Sequence, residues 1–291
     1  MNIVTTIAEV KQRTEEARNQ GKTIGFVPTM GFLHEGHASL MKRARQECDF
    51  VVVSIFVNPL QFGPNEDFER YPRDEQRDRA LAQDMGVDLL FCPTVEEMYP
   101  RASSVTVNVH KRVDVLCGKS RVGHFDGVAT VLVKLFNIVG AHRVYFGSKD
   151  AQQAAVVQGL IEDFNIPVTL ALCETVREQD GLAKSSRNVY LSQQERDQAS
   201  LLYATLTQAA TRLQAGENVQ TIAAMVEAEI RNQTSGTLDY FEILSYPSLE
   251  QNINHDERVI LAIAVQFSKA RLIDNLIVSR QDQKEEGIHH V

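Results

Sequence analysis

Two histidines three residues apart, His34 and His37, flank Gly36 in the run GFVPTMGFLHEGH, residues 25–37. An imidazole pair can ligate a metal, move protons or donate to phosphate oxygens. The metal reading fits poorly, because zinc proteases place two histidines four apart on one helical face. Here the spacing is three, a glycine interrupts it, and no third ligand cluster follows. Phosphate contact fits better, with two histidines packed into a turn as the plainer alternative. The pair comes after an apolar, strand-like run, Thr23-Ile24-Gly25-Phe26-Val27, which Pro28 and Gly31 are expected to end in a tight turn. From Gly36 onward Leu40, Met41, Ala44 and Cys48 recur at helical steps. The histidines therefore stand at a helix N-terminus, where free N–H groups and the positive end of the dipole favour an anion.

Other polar residues fall in similar places. Asn58 and Gln61 follow the strand-like run 49–57, and neutral amides there suit hydroxyl or carboxylate recognition or simply cap a loop. Residues 63–74 read as an exposed loop able to cover a site. In YFGSKDAQQ (145–153) Gly147 allows a turn, and Lys149 stands at a helix start with Gln152 and Gln153 behind it. A cation placed there opposes the dipole, which an anionic ligand would offset. DGLAKSSRN (180–188) brings Lys184, Ser185, Ser186 and Arg187 together in a loop able to hold phosphates, and SRVGHFDGV (120–128) adds Arg121 and His124.

The elements that must position these groups alternate. Strand-like runs at 23–27, 49–57, 88–92, 143–146 and 167–173 are separated by helical patterns near 36–47, 74–85, 126–139 and 150–163. Continuous apolar strands spaced by helices predict a parallel sheet covered on both faces, with ligands beyond the carboxyl ends of its strands. Past residue 175 the pattern changes to two helices and then three strands, LDYFEILSY, RVILAIAVQF and ARLIDNLIVS, without helices between them. The expected organisation is α/β: a Rossmann-like domain over 1–175, a smaller α+β lid domain over 176–281, and a tail over 282–291. His289 and His290 lie in that tail and receive no role.

The chain has 291 residues and a formal net charge of −8. That balance argues against a sequence-independent nucleic-acid binder, which needs a basic face. Cys48, Cys92, Cys117 and Cys173 are scattered without a CxxC pair, as expected of buried thiols in a reducing compartment. The first twenty residues carry acidic side chains and amphipathic spacing unlike a signal peptide, and no apolar stretch reaches spanning length. A cytoplasmic protein with neither nucleic-acid nor membrane partners is expected.

Taken in order, PTMGFLHEGH, NPLQF, YPR, GHFDGV, YFGSKDAQQ and DGLAKSSRN resemble the pantoate–β-alanine ligases, over residues 1 to about 280. HxGH alone marks only a broad superfamily of nucleotidyl transferases and class I aminoacyl-tRNA synthetases. The resemblance implies a nucleotidyl-transferase fold, usually homodimeric. It also implies condensation of (R)-pantoate with β-alanine through pantoyl adenylate, driven by ATP with Mg²⁺ and releasing AMP and pyrophosphate. By the matched motifs, Met30, Gly31, Phe32, Leu33, His34, Glu35, Gly36 and His37 would line the ATP site, with His37 as proton donor. Gly147, Ser148, Lys149 and Asp150 would contact nucleotide, Val176 would meet adenine, and Lys184, Ser185, Ser186 and Arg187 would close over the triphosphate. Catalysis would fall to His34, His37 and Lys149. Gln61 and Gln153 would hold pantoate, with Gln61 also beside β-alanine; the metal ligands stay unassigned. Two departures stand out: Phe32 replaces a usually small residue and Lys184 a usually apolar one. The runner-up readings are a nucleotidylyltransferase acting on a phosphorylated acceptor, and a non-catalytic nucleotide sensor.

Overall fold

A computed structural model describes residues 1–63, 68–253 and 257–279. The chain divides into two units, Met1–Tyr190 and Leu191–Val291. In the first unit, strands and helices run β1 (Asn2–Val4), α1 (Ile7–Asn19), β2 (Ile24–Thr29), α2 (Glu35–Glu47), β3 (Phe50–Ile55), α3 (Glu75–Asp84) and β4 (Leu89–Phe91). They continue as α4 (Val95–Met98), α5 (His124–Val139), β5 (Arg143–Gly147), α6 (Ala151–Asp163) and β6 (Thr169–Cys173). The six strands form one parallel sheet in the order β1-β4-β3-β2-β5-β6. This is the Rossmann-like arrangement that the alternation predicts.

The sheet is buried on both sides, so its strands need no polar face. Ile24 and Phe26 of β2 pack with α1 and α5, whereas Val27 packs with Leu40, Met41 and Ala44 of α2. Adjacent residues thus serve opposite layers, as the two-residue period of a strand requires. From β2 the chain builds β3 and β4 to one side and β5 and β6 to the other. The order reverses between β2 and β5, and that switch point opens a crevice at the strand ends.

β2 runs on to Thr29 where a turn at Pro28 was expected. Its pairing with β3 continues through Thr29↔Ile55, but its pairing with β5 covers only Gly25 and Phe26. The N–H and C=O of Ile24 face the β5 side, where they meet His142. Pro28 has the same parity, so its missing N–H falls where that ladder has already ended. β1 was not anticipated at all; three residues pair with β4 through Asn2↔Leu89 and Val4↔Phe91.

The first unit extends to Tyr190, against an expected boundary at residue 175. Segment 176–190 folds back onto itself, with the Lys184 N–H donating to the Val176 carbonyl at 2.9 Å and a bridge between Arg177 and Ala183. It is tied to the rest of the unit by the ion pair of Lys184 with Glu35 at 3.4 Å. The second unit contains α7 (Gln193–Ala199), α8 (Leu201–Gln214), α9 (Val219–Gln233), β7 (Thr237–Ser245), β8 (Arg258–Gln266) and β9 (Arg271–Ser279). The first of the two expected helices is divided at Ser200, whose hydroxyl donates to the Asp197 carbonyl and competes with the helical ladder. The strands form an antiparallel sheet with β8 in the middle, which explains its unbroken apolar run. The expected tail, with His289 and His290, lies outside the described residues.

Candidate active site

The spacing of the histidine pair has a structural cause. His34 is the N-cap of α2 and His37 is its third residue, so the two form a reciprocal capping box. The Gly36 N–H donates to His34 Nδ1 at 3.1 Å, and the His34 N–H donates to His37 Nδ1 at 3.3 Å. Because both Nδ1 atoms accept, the ring protons stand on the two Nε2 atoms. The rings lie 4.2 Å apart. Gly36 is required by this arrangement, since a Cβ there would come within 2.8 Å of the His34 ring. Burial, followed by the Lys149 charge, holds the His34 pKa down at about 4. Burial, followed by His34, holds His37 at about 3. Both are neutral N–H donors at pH 7.

The turn before this cap is held by a residue with no distinguishing local signal. Asp78, on α3, accepts from the Phe32 N–H at 2.8 Å and from the Leu33 N–H at 2.6 Å. Its side chain is buried, and a Cβ on Gly31 would lie 3.0 Å from its carboxylate and 2.9 Å from Ile55. Gly31 and Phe32 both adopt positive φ, +85° and +50°. A tight turn there costs a non-glycine residue energy, and two strong backbone bonds to one carboxylate offset it. Phe32 is covered by the Arg77 guanidinium at 5.4 Å, and Leu33 is wholly buried in the core beneath α2.

Gln61 sits at the end of a single 3₁₀ turn, Pro59–Gln61, whose N-cap is Asn58. Asn58 is structural: its amide donates to the Gly127 carbonyl at 3.1 Å and to Gln61 Oε1 at 3.3 Å, and it accepts from Tyr99 at 2.9 Å. The Gln61 amide donates to Met30 Sδ at 3.0 Å, joining the two motifs. α5 presses so closely on this turn that a Cβ on Gly127 would lie 2.2 Å from the Leu60 carbonyl oxygen. His124, the first residue of α5, meets the Gln61 carbonyl oxygen through Nδ1 at 2.8 Å.

Beyond β5, Ser148–Asp150 form a 3₁₀ turn ahead of α6, and Lys149 is largely buried there, 3.8 Å from Asp150. Gly147 is extended, at φ −83°, so it serves no special turn; the space beside its Cα is open. Gln152 is buried on the carbonyls of Arg112 and Val115 at 2.8 Å, whereas Gln153 faces the cleft.

One cleft at the β2–β5 switch point collects most of the expected residues. Met30, His34, Gly36, His37, Gln61, Gly147, Lys149, Asp150, Gln153, Val176 and Lys184 to Arg187 all line it. Gly31, Phe32 and Leu33 instead build the turn behind it. Tyr71 and Pro72 also line it; residues 64–67 of the expected covering loop lie outside the described residues. Phe56, Val128, Val131 and Leu132 supply an apolar wall. Every lining residue comes from the first unit. Among the described residues, no cluster of three or more His, Cys, Asp or Glu side chains is placed to hold a metal ion.

The model of the pantoate–β-alanine ligase family matches residues 2–277. The chain belongs to that family. It is an enzyme, a ligase that joins pantoate to β-alanine. A pantothenate synthetase of Bacillus cereus is 58% identical over 280 residues, covering 96% of this chain and 99% of the relative. The pantothenate synthetase structure from Thermus thermophilus is 46% identical with a TM-score of 0.88, covering 95% and 99%. A pantoate–β-alanine ligase from Francisella tularensis, solved with a β,γ-ATP compound and β-alanine, is 34% identical with a TM-score of 0.78, covering 95% and 97%. The ligase class sets aside the nucleotidylyltransferase and sensor readings.

Proposed function

We propose that this enzyme condenses (R)-pantoate with β-alanine in two steps at the switch-point cleft, with ATP as the Mg²⁺ complex of its triphosphate. The observation that carries the reading is the capping box. It uses both Nδ1 atoms and leaves both Nε2–H donors to the cleft that Lys149 also lines. In the first step a pantoate carboxylate oxygen bonds to the α-phosphorus, the bond to the bridging oxygen breaks, and pyrophosphate leaves. The carboxylate is ionised at pH 7, so no general base is needed. Lys149, Arg187, Lys184 and the two imidazole N–H groups stabilise charge on the departing phosphates. Met30 and Val176 border the nucleotide, and Asp150, Ser185 and Ser186 lie along the same cleft; Glu35 acts indirectly, by holding Lys184, and Ser148 by its place in the turn beside Lys149.

Gln61 and Gln153 suit the hydroxyl and carboxylate groups of pantoate, and the wall of Phe56, Val128, Val131 and Leu132 suits its two methyl groups. In the second step the neutral amine of β-alanine attacks the acyl carbon beside Gln61. The acyl–phosphate bond breaks, AMP leaves, and the amine gives up a proton to solvent. A histidine with its pKa near 3 is neutral when free, so His37 acts on the first step as a hydrogen-bond donor. Resemblance to the family supports a cytoplasmic location and a homodimer, and light scattering of the purified protein tests the dimer.

Pantoate-dependent exchange of labelled pyrophosphate into ATP, without β-alanine, tests the two-step order. Exchange is expected. Exchange only when β-alanine is present, or release of ADP and phosphate, would contradict it.

A further inference from the structure

We infer that Tyr99, from outside the cleft, fixes the direction of the Gln61 amide and so makes Gln61 a hydrogen-bond donor toward its substrate. This rests on the assignment of pantoate to Gln61 above. A glutamine side chain can present either a carbonyl oxygen or an amino group, and the two ends differ little in shape. The end that faces the cleft decides whether the site accepts from a hydroxyl or donates to a substrate oxygen. Some other group must hold the amide one way round. Here a chain of three side chains does so, and it begins at Tyr99.

The Asn58 amide admits one orientation only. The Gly127 carbonyl, 3.1 Å away, can only accept, so the atom beside it is Nδ2. The Leu60 N–H, 3.3 Å away, can only donate, so the atom beside it is Oδ1. The Tyr99 hydroxyl therefore donates to Oδ1, and at 2.9 Å this bond is shorter than the other two. Asn58 Nδ2 donates in turn to Gln61 at 3.3 Å, so the Gln61 atom that meets it is the acceptor Oε1. Nε2 is the end turned away. One of its N–H groups reaches Met30 Sδ at 3.0 Å, and the other is left for an oxygen of a molecule in the cleft. Tyr99 follows α4 as its C-cap, and its ring packs 6.1 Å from Phe56 and under the Lys134 ammonium at 5.4 Å. Without the hydroxyl, Asn58 Oδ1 keeps only the longer bond from Leu60, in a site where Asn58 is buried from water. Tyr99 is thus a positioning residue that acts through Asn58.

The test follows steady-state pantothenate formation by the intact enzyme, Tyr99→Phe, Gln61→Ala and the double variant, with pantoate and ATP varied separately. Tyr99→Phe removes one oxygen and keeps the ring on Phe56 and Lys134. Its kcat/KM for pantoate should fall about 10-fold through a raised KM, the scale of one hydrogen bond lost at a buried acceptor. The KM for ATP should stay within about twofold, which a general loosening of the fold would not allow. In the Gln61→Ala background the same substitution should cost less than about twofold, because the amide it directs is gone. Equal losses in the two backgrounds would overturn the inference, as would parallel rises in both KM values or an unchanged KM for pantoate in Tyr99→Phe. If Gln61→Ala itself leaves pantoate use intact, the assignment of pantoate to Gln61 falls, and the inference falls with it.

Discussion

The carboxylate of Asp78 accepts the backbone N–H of Leu33 at 2.6 Å, from 45 positions further along the chain. Through this bond and the one from Phe32, α3 sets the turn that delivers His34 to the start of α2. Asp78→Asn keeps the volume but turns one acceptor into a donor facing an N–H. Adenylation should fall by about 10²-fold, the scale of an ångström-sized misplacement. Stability should drop by about 1–3 kcal/mol, the cost of a buried polar group left unmatched. Pyrophosphate exchange and denaturant unfolding measure the two effects. A variant that unfolds less stably but exchanges at the normal rate would make Asp78 a purely structural residue.

The capping role and the donor role of the histidines can be separated. Asn at an N-cap and Gln at the third helical position both preserve a capping box. His34→Asn and His37→Gln should therefore keep the melting temperature close to that of the parent. His37→Ala should cost about 0.5–2 kcal/mol as a lost cap. His37→Gln and His37→Ala should both slow adenylation by about 10²–10³-fold, the cost of one preorganised donor. Normal exchange in His37→Gln would show that only the cap matters.

Lys149 distinguishes the half-reactions. Its charge is assigned to phosphates that leave with pyrophosphate, so Lys149→Ala should depress adenylate formation steeply. It should spare most of the conversion of separately supplied pantoyl adenylate. Presteady-state assays of each half-reaction decide this, and equal losses with the fold intact would remove the phosphate-specific role.

The histidine environment sets a pH dependence of stability. Both folded pKa values, about 4 for His34 and about 3 for His37, lie below the ordinary value of 6.5. As pH falls from 6.5 toward 4, the unfolded chain binds protons that the folded protein does not, so folding stability decreases over that window. Above pH 6.5 these two groups make no difference. Urea midpoints at pH 7.5, 6, 5 and 4.5 should decline for the parent and decline less for the His34→Asn, His37→Gln double variant. Parallel curves would show that the two rings titrate normally.

How legible the chain was depends on the range of each interaction. The strands β2, β3, β5 and β6 were visible because burial on both sheet faces leaves continuous apolar runs such as Phe50–Ile55. The three residues of β1 were not visible, because a segment that short gains its identity from pairing with β4. The histidines, Lys149, Gln61 and Gln153 were legible as residues following strands, and the fold brings them to one cleft. Asp78 was not legible. Within RDEQRDRALAQD it looks like one more acid on a solvated helix, and only packing against the turn at Gly31 buries it. Pro28 misled for the opposite reason: a strand-breaking residue is tolerated where one neighbour's ladder stops. Arg121 and His124 had moderate local signals, but their link to Gln61 spans about sixty positions and exists only in the fold.

The most direct test of the central claim follows the pantoate carboxylate oxygens. With oxygen-18 in that carboxylate, attack on the α-phosphorus leaves one labelled oxygen bridging acyl carbon and phosphorus. β-Alanine then displaces it with the phosphate. Mass spectrometry of the products should show one labelled oxygen in AMP and one retained in the new amide. Label in inorganic phosphate or pyrophosphate, or AMP free of label, would contradict an acyl-adenylate formed at the histidine cap.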